Sequence, residues 1–116
     1  MGHARYGRAA YAQASVLSWV MLSPTPEGKL CDSRGRPYFL WDCDVTLAGL
    51  REHLDAPDDA RRSYWLAKVM RQAKPDDAIV VAGTEEMRRL WPYIERSLGR
   101  VREFWKWYLD WTDDRR

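Results

Sequence analysis

"KPDDAIVVAGT", Lys74 to Thr84, is the stretch on which the fold turns. Ile79, Val80 and Val81 are β-branched and favour a strand. The Pro-Asp-Asp before them favours a helix, because Pro suits a first turn and carboxylates there meet the positive end of the helix dipole. As a strand, the segment would have only Tyr38-Phe39-Leu40-Trp41 to pair with, since nothing after Gly83 reads as extended. A parallel sheet of two members cannot be buried on both faces as parallel sheets require. We read residues 78–82 as helix. The chain is then a mainly α, compact bundle of short helices, a helical-hairpin-like stack with at most one or two short extended segments.

The neighbouring segments agree. Gly83 ends the helix, and Thr84 followed by Glu85 and Glu86 starts another. Met87, Leu90, Trp91, Ile94 and Leu98 mark its apolar stripe; Pro92 should split it near Leu90, and Gly99 closes it. Upstream, "APDD" (56–59) opens a helix with Trp65, Leu66, Val69, Met70 and Ala73 on one side and Arg61, Arg62, Lys68 and Arg71 mostly on the other. Before it, Leu47, Leu50 and Leu54 recur at helical spacing, with Thr46 or Asp44 as the cap. Ser23 to Pro37 reads as loop, and Tyr38 to Trp41 as a short strand or extended anchor. The resulting division is an N-terminal extension or helix at 1–22, a loop at 23–37, a helical domain at 38–112 and a tail at 113–116.

The last helix, Arg100 to about Trp111, carries the clearest functional signal. Val101, Phe104, Trp105, Tyr108 and Leu109 form an ordinary core stripe. Trp107 and Trp111 lie just outside it and widen the apolar face to roughly 200°, where about 100° is normal for a terminal helix. Either the N-terminal segment covers the excess, or a second protein does; a homodimer is one form of the latter.

Composition narrows the classes. One domain fits 116 residues. Seven Trp and six Tyr exceed what a core of this size readily encloses, and Trp is enriched at the centres of protein interfaces. A net charge of +2 gives no strong pull toward nucleic acid or membrane. Arg outnumbers Lys fifteen to four, which suits bidentate pairing, although a GC-rich genome produces the same bias. Cys31 and Cys43 have no metal-site spacing and read as reduced, cytoplasmic thiols. "MGHARYGRAAYAQASVLSWVML" is too polar for a signal peptide and too short of the about 20 apolar residues a spanning helix needs. No cofactor site is expected.

"FLWDCDVT" resembles the strand-then-DxDxT signature of haloacid-dehalogenase-like phosphatases. The resemblance implies Asp42 as phosphoryl-accepting nucleophile, Asp44 as general acid/base, Lys74 as charge stabiliser, and Mg²⁺. Only 29 residues separate Asp44 from Lys74, about the length of one crossover unit with nothing left for a phosphate site. "VVAGTEEM" also lacks an acidic residue directly after the apolar run. The preferred reading is an acidic turn: Asp42 and Asp44 accept from amides opening the Leu47 helix, while Phe39 and Trp41 anchor the loop in the core.

Taken together, "RGRPYFLWDCDVT", "YWLAKVMRQAKPDD", "LWPYIERSLGR" and "FWKWYLDW" resemble a group of small bacterial proteins encoded beside AbiEii-like nucleotidyltransferases of the abortive-infection toxin family. The likeness covers about Arg34 to Trp111, roughly two thirds of the chain. It implies the antitoxin of a toxin-antitoxin system, a protein-binding role with a nucleotidyltransferase-type toxin as partner. On that reading Trp91, Trp107 and Trp111 bury against the toxin, and Arg88, Arg89 and Arg102 pair with its acidic surface. A DNA-binding autoregulator is the remaining alternative, with nucleic acid a secondary partner.

Overall fold

Pro75 to Ala82 is helical. In the computed structural model, which describes residues 22–114, Pro75 occupies the first turn of a helix that runs Pro75–Ala82. Gly83 stops it at φ 87, a conformation glycine adopts without a Cβ penalty. Ala78, Ile79 and Val81 are buried, so packing overrides the strand preference of the β-branched run.

The elements in order are α1 (Glu27–Leu30), a 3-10 turn (Tyr38–Leu40), α2 (Leu47–Leu54), α3 (Asp59–Gln72), α4 (Pro75–Ala82), α5 (Thr84–Arg89), α6 (Trp91–Ile94), two 3-10 turns (Glu95–Ser97 and Gly99–Val101), and α7 (Arg102–Asp114). Among the described residues there is no strand, and a lone antiparallel bridge joins Cys31 to Pro37. The mainly α bundle is therefore as expected. No helix of the described residues is long and apolar enough to cross a membrane.

Several start signals act as read. Thr46 accepts from the Gly49 amide at 3.0 Å, and Asp58 accepts from the Ala60 amide at 3.0 Å. Pro92 separates α5 from α6 around Leu90. Other expectations need correction. The 23–37 segment contains α1, and Tyr38–Leu40 is a 3-10 turn, not a strand. Gly83, not Thr84, caps α5. The helix α7 continues through residues 113 and 114, assigned above to the tail. The expected extension at 1–22 lies outside the described residues except for Leu22, which packs against the core.

The core gathers on α3. Leu66, Val69 and Met70 are essentially inaccessible, as are Phe39, Leu40, Leu50, Met87, Leu90, Ile94, Leu98 and Trp105 from the elements around it. Lys68 is buried too, against the expectation that it faces solvent. Its ammonium meets Asp42 Oδ2 at 2.6 Å, from a loop 26 residues earlier, so the charge enters the protein with its counterion. At the α2–α3 joint the His53 ring stacks on Trp65 at 4.2 Å, and Arg61 Nε donates to His53 Nδ1.

The start of α4 holds the chain's earlier segments. Asp77 Oδ1 accepts the Thr25 amide at 2.7 Å, and its Oδ2 accepts the Thr25 and Tyr38 hydroxyls, each at 2.6 Å. Asp76 takes the Ser23 amide at 2.6 Å. Burial alone would raise the Asp77 carboxyl, but these donors outweigh it and hold the pKa below the usual carboxylate value. Because the folded pKa is lowered, this stabilisation is present above the unfolded value of about 3.9 and is lost as pH falls through the folded one. Urea unfolding followed across that acid range should show Asp77→Asn less stable at neutral pH, with a flatter loss of stability toward low pH than the parent chain.

Candidate protein-binding surface

The orientation of α7 follows from one side chain. Trp105 is buried, and its indole N–H donates to the Met70 carbonyl at 3.1 Å. Tyr108, Leu109 and Thr112 are buried with it. At 100° per residue, their centre lies about 20° from that of the stripe read off the sequence. The displacement moves Phe104 from its expected core place to the edge, where it is 39% exposed. Thr112 is buried instead. Its hydroxyl donates to the Tyr108 carbonyl at 2.9 Å and accepts from Arg88 Nη2, which removes the cost of an unpaired buried oxygen.

Phe104, Trp107 and Trp111 then lie along one flank of α7, at i, i+3 and i+7. Trp107 is 56% exposed and stacks on the half-buried Trp111, with ring centroids 5.9 Å apart and planes 13° from parallel. Phe104 lies 6.0 Å from Trp107 and stacks on Tyr108 at 6.1 Å. The rings therefore form a continuous apolar strip, held by contact with each other and with the core beneath.

Trp91 does not join this strip. It is half-buried and lines a cleft of about 220 Å³ with Arg88, Lys106, Leu109, Asp110 and Asp113, on the opposite flank of α7. The three arginines proposed for the partner are engaged within the chain. Arg88 reaches the Leu109 carbonyl at 3.2 Å and ties α5 to α7. Arg89 takes Asp59 at 3.1 Å and Glu86 at 3.0 Å, tying α5 to α3. Arg102 takes Glu95 at 2.7 Å and Glu103 at 2.6 Å. Recruiting Arg89 or Arg102 to a partner would exchange one carboxylate for another, for little net gain, and recruiting Arg88 would strip the Leu109 carbonyl and Thr112 hydroxyl of their donor.

Among the described residues the most exposed large apolar side chain is that of Trp41, at 76%, which was expected to anchor the loop in the core. Phe39 alone fills that anchoring role. Trp41 rims a cleft of about 360 Å³ lined also by Cys31, Cys43, Lys29 and Arg36. Burial raises the pKa of both thiols above the ordinary value, so neither is an activated thiolate. No periodicity marks Trp41 as exposed, because it follows two buried residues of the same 3-10 turn.

The phosphatase constellation is not assembled. Asp42 is held by Lys68 and by Gln72 Nε2 at 3.3 Å, Asp44 by Arg36 at 3.2 Å, while Lys74 Nζ reaches the Ser23 carbonyl at 3.4 Å. Neither aspartate receives the helix-opening amides expected of the acidic turn, which Thr46 serves instead. Among the described residues no three His, Cys, Asp or Glu side chains converge to hold a metal, so the Mg²⁺ that resemblance implies has no ligand set there. Compared with family models, curated proteins and solved structures, the chain has no match.

These positions predict opposite costs for neighbouring indoles. Trp105→Ala should destabilise the fold by about 3–5 kcal/mol, and Arg88→Ala by about 1–3 kcal/mol through the acceptors it leaves unpaired. Trp107→Ala should change stability by no more than about 1 kcal/mol. Chemical denaturation of the three variants, with the transition read by circular dichroism, checks the order.

Proposed function

We propose that this chain is a non-catalytic protein-binding module and that the Phe104–Trp107–Trp111 flank of α7 is its contact surface. The observation that carries the reading is Trp107: an indole more than half exposed, stacked on a second indole, on a helix whose neighbouring indole is fully buried. Exposed large apolar surface that is contiguous, rather than scattered, marks an interaction site. Trp is also the residue type most enriched among those that dominate interface energetics. Mutual stacking orders the two rings before binding and lowers the entropy lost when a partner arrives.

The finer reading is an antitoxin that neutralises a nucleotidyltransferase-type toxin, and it rests on the resemblance of the four quoted segments. Steric coverage by this flank would suffice for neutralisation, with no chemistry required of the small protein. The test is direct mixing with a purified AbiEii-like nucleotidyltransferase, the partner class the resemblance implies. A complex is expected on gel filtration. The double variant Trp107→Ala, Trp111→Ala should weaken it about 100-fold or more, each indole contributing about 2 kcal/mol when desolvated. Full-strength binding by that variant rejects the flank, and no complex with the parent chain rejects the toxin as partner.

A further inference from the structure

Resting on that contact surface, the arginines around the entry to α7 specify the partner's chemistry. Arg96 and Arg100 are exposed, and among the described residues no carboxylate pairs with either. Arg71 belongs to the same place, because its Nη1 donates to the Ser97 carbonyl at 3.0 Å. Its only described acceptor is that neutral oxygen. The two acids nearby, Glu95 and Glu103, are both taken by Arg102. Arg96 and Arg100 in the turn, and Arg71 beside it on α3, therefore carry charge that no carboxylate compensates among the described residues.

This turn continues the aromatic strip. Carried back through Gly99–Val101, the helical path sets Arg100 near the azimuth of Trp107, so Arg100, Phe104, Trp107 and Trp111 follow one line about 16 Å long. The line is cationic at its start and apolar thereafter. We infer that it takes one amphipathic helix of a partner protein, with apolar residues over the aromatic strip and carboxylates over Arg96 and Arg100. A helix laid in an apolar groove presents anchors at i, i+3 or i+4, and i+7, the spacing displayed here. Guanidinium groups without internal partners are those free to pair bidentately with incoming carboxylates.

A single-stranded nucleic acid fits the same surface less well. Base binding needs open ring faces, and the mutual stack closes one face of both Trp107 and Trp111.

The test uses a fluorescein-labelled helical peptide of about four turns, with Leu at the anchor spacing and a Glu cluster at one end. A matched peptide carries Lys in place of Glu, and labelled oligothymidylate supplies the nucleic-acid arm. Anisotropy titrations of the full chain at low salt should show the Glu peptide bound about tenfold tighter than the Lys peptide. Arg96→Ala with Arg100→Ala should abolish that preference, and Trp107→Ala should weaken both peptides. Equal binding of the peptides, tighter binding of oligothymidylate, or no binding of the Glu peptide up to about 1 mM overturns the inference. Dependence on Trp107 without dependence on the arginines sinks the acidic partner but leaves the contact surface standing. Independence from Trp107 sinks both.

Discussion

The break between α3 and α4 is the joint on which the other elements depend. A helix leaves its last carbonyls without intrahelical donors. Here the Ala73 amide closes onto Val69, but the Lys74 amide turns away and donates to the Tyr38 hydroxyl at 2.8 Å. The Met70 carbonyl is thereby orphaned, and the Trp105 indole fills the place. The Tyr38 hydroxyl in turn donates a hydrogen bond to Asp77 in the first turn of α4. One interrupted helix thus captures the 38–40 turn on one side and α7 on the other. Pro75 is the residue that forces the interruption, since it has no amide to offer and cannot lie within a continuous helix.

The orientation of α7 follows from the same joint. Once the Trp105 N–H is committed to Met70, α7 has no freedom to rotate about its axis, and the flank bearing Phe104, Trp107 and Trp111 is fixed outward. Turning Trp107 inward would withdraw Trp105 and leave an indole N–H and a carbonyl buried without partners, a penalty of about 1–3 kcal/mol for each group. The exposed strip is therefore a consequence of a satisfied core. It does not mark a core that failed to close.

What the sequence made legible was local. Helix starts at Thr46, Asp58 and Pro75, the stop at Gly83 and the break near Leu90 all follow from single-residue backbone preferences. The assignments that failed were set by residues distant in the chain. Lys68 sits on what periodicity calls the polar side of α3, yet Asp42 arrives from another element and makes burial tolerable. Phe104 sits inside the apolar stripe, yet a hydrogen bond to Met70 turns the helix enough to expose it. The Pro-Asp-Asp motif was read as helix punctuation, which it is, but its carboxylates also grip Ser23, Thr25 and Tyr38. Of the candidate site, the Trp107–Trp111 pair was visible because a surplus of apolar circumference is itself a local quantity. The commitment of Arg88, Arg89 and Arg102 to internal acids was not.

The commitment of those arginines follows from how short the helices are. Helices of four to eight residues, as α2, α4, α5 and α6 are, have little stability alone and must be fixed by tertiary contact. The apolar core supplies most of that contact but is indifferent to small slides of one element along another. Directional guanidinium pairs are not, because a displacement of an ångström or two breaks a bidentate geometry. Arg89 between α5 and α3, and Arg88 between α5 and α7, set the register that the core leaves loose. Arg88 and Arg89 are thus consumed by assembly, whereas Arg96 and Arg100, on the turn into α7, have no carboxylate partner among the described residues.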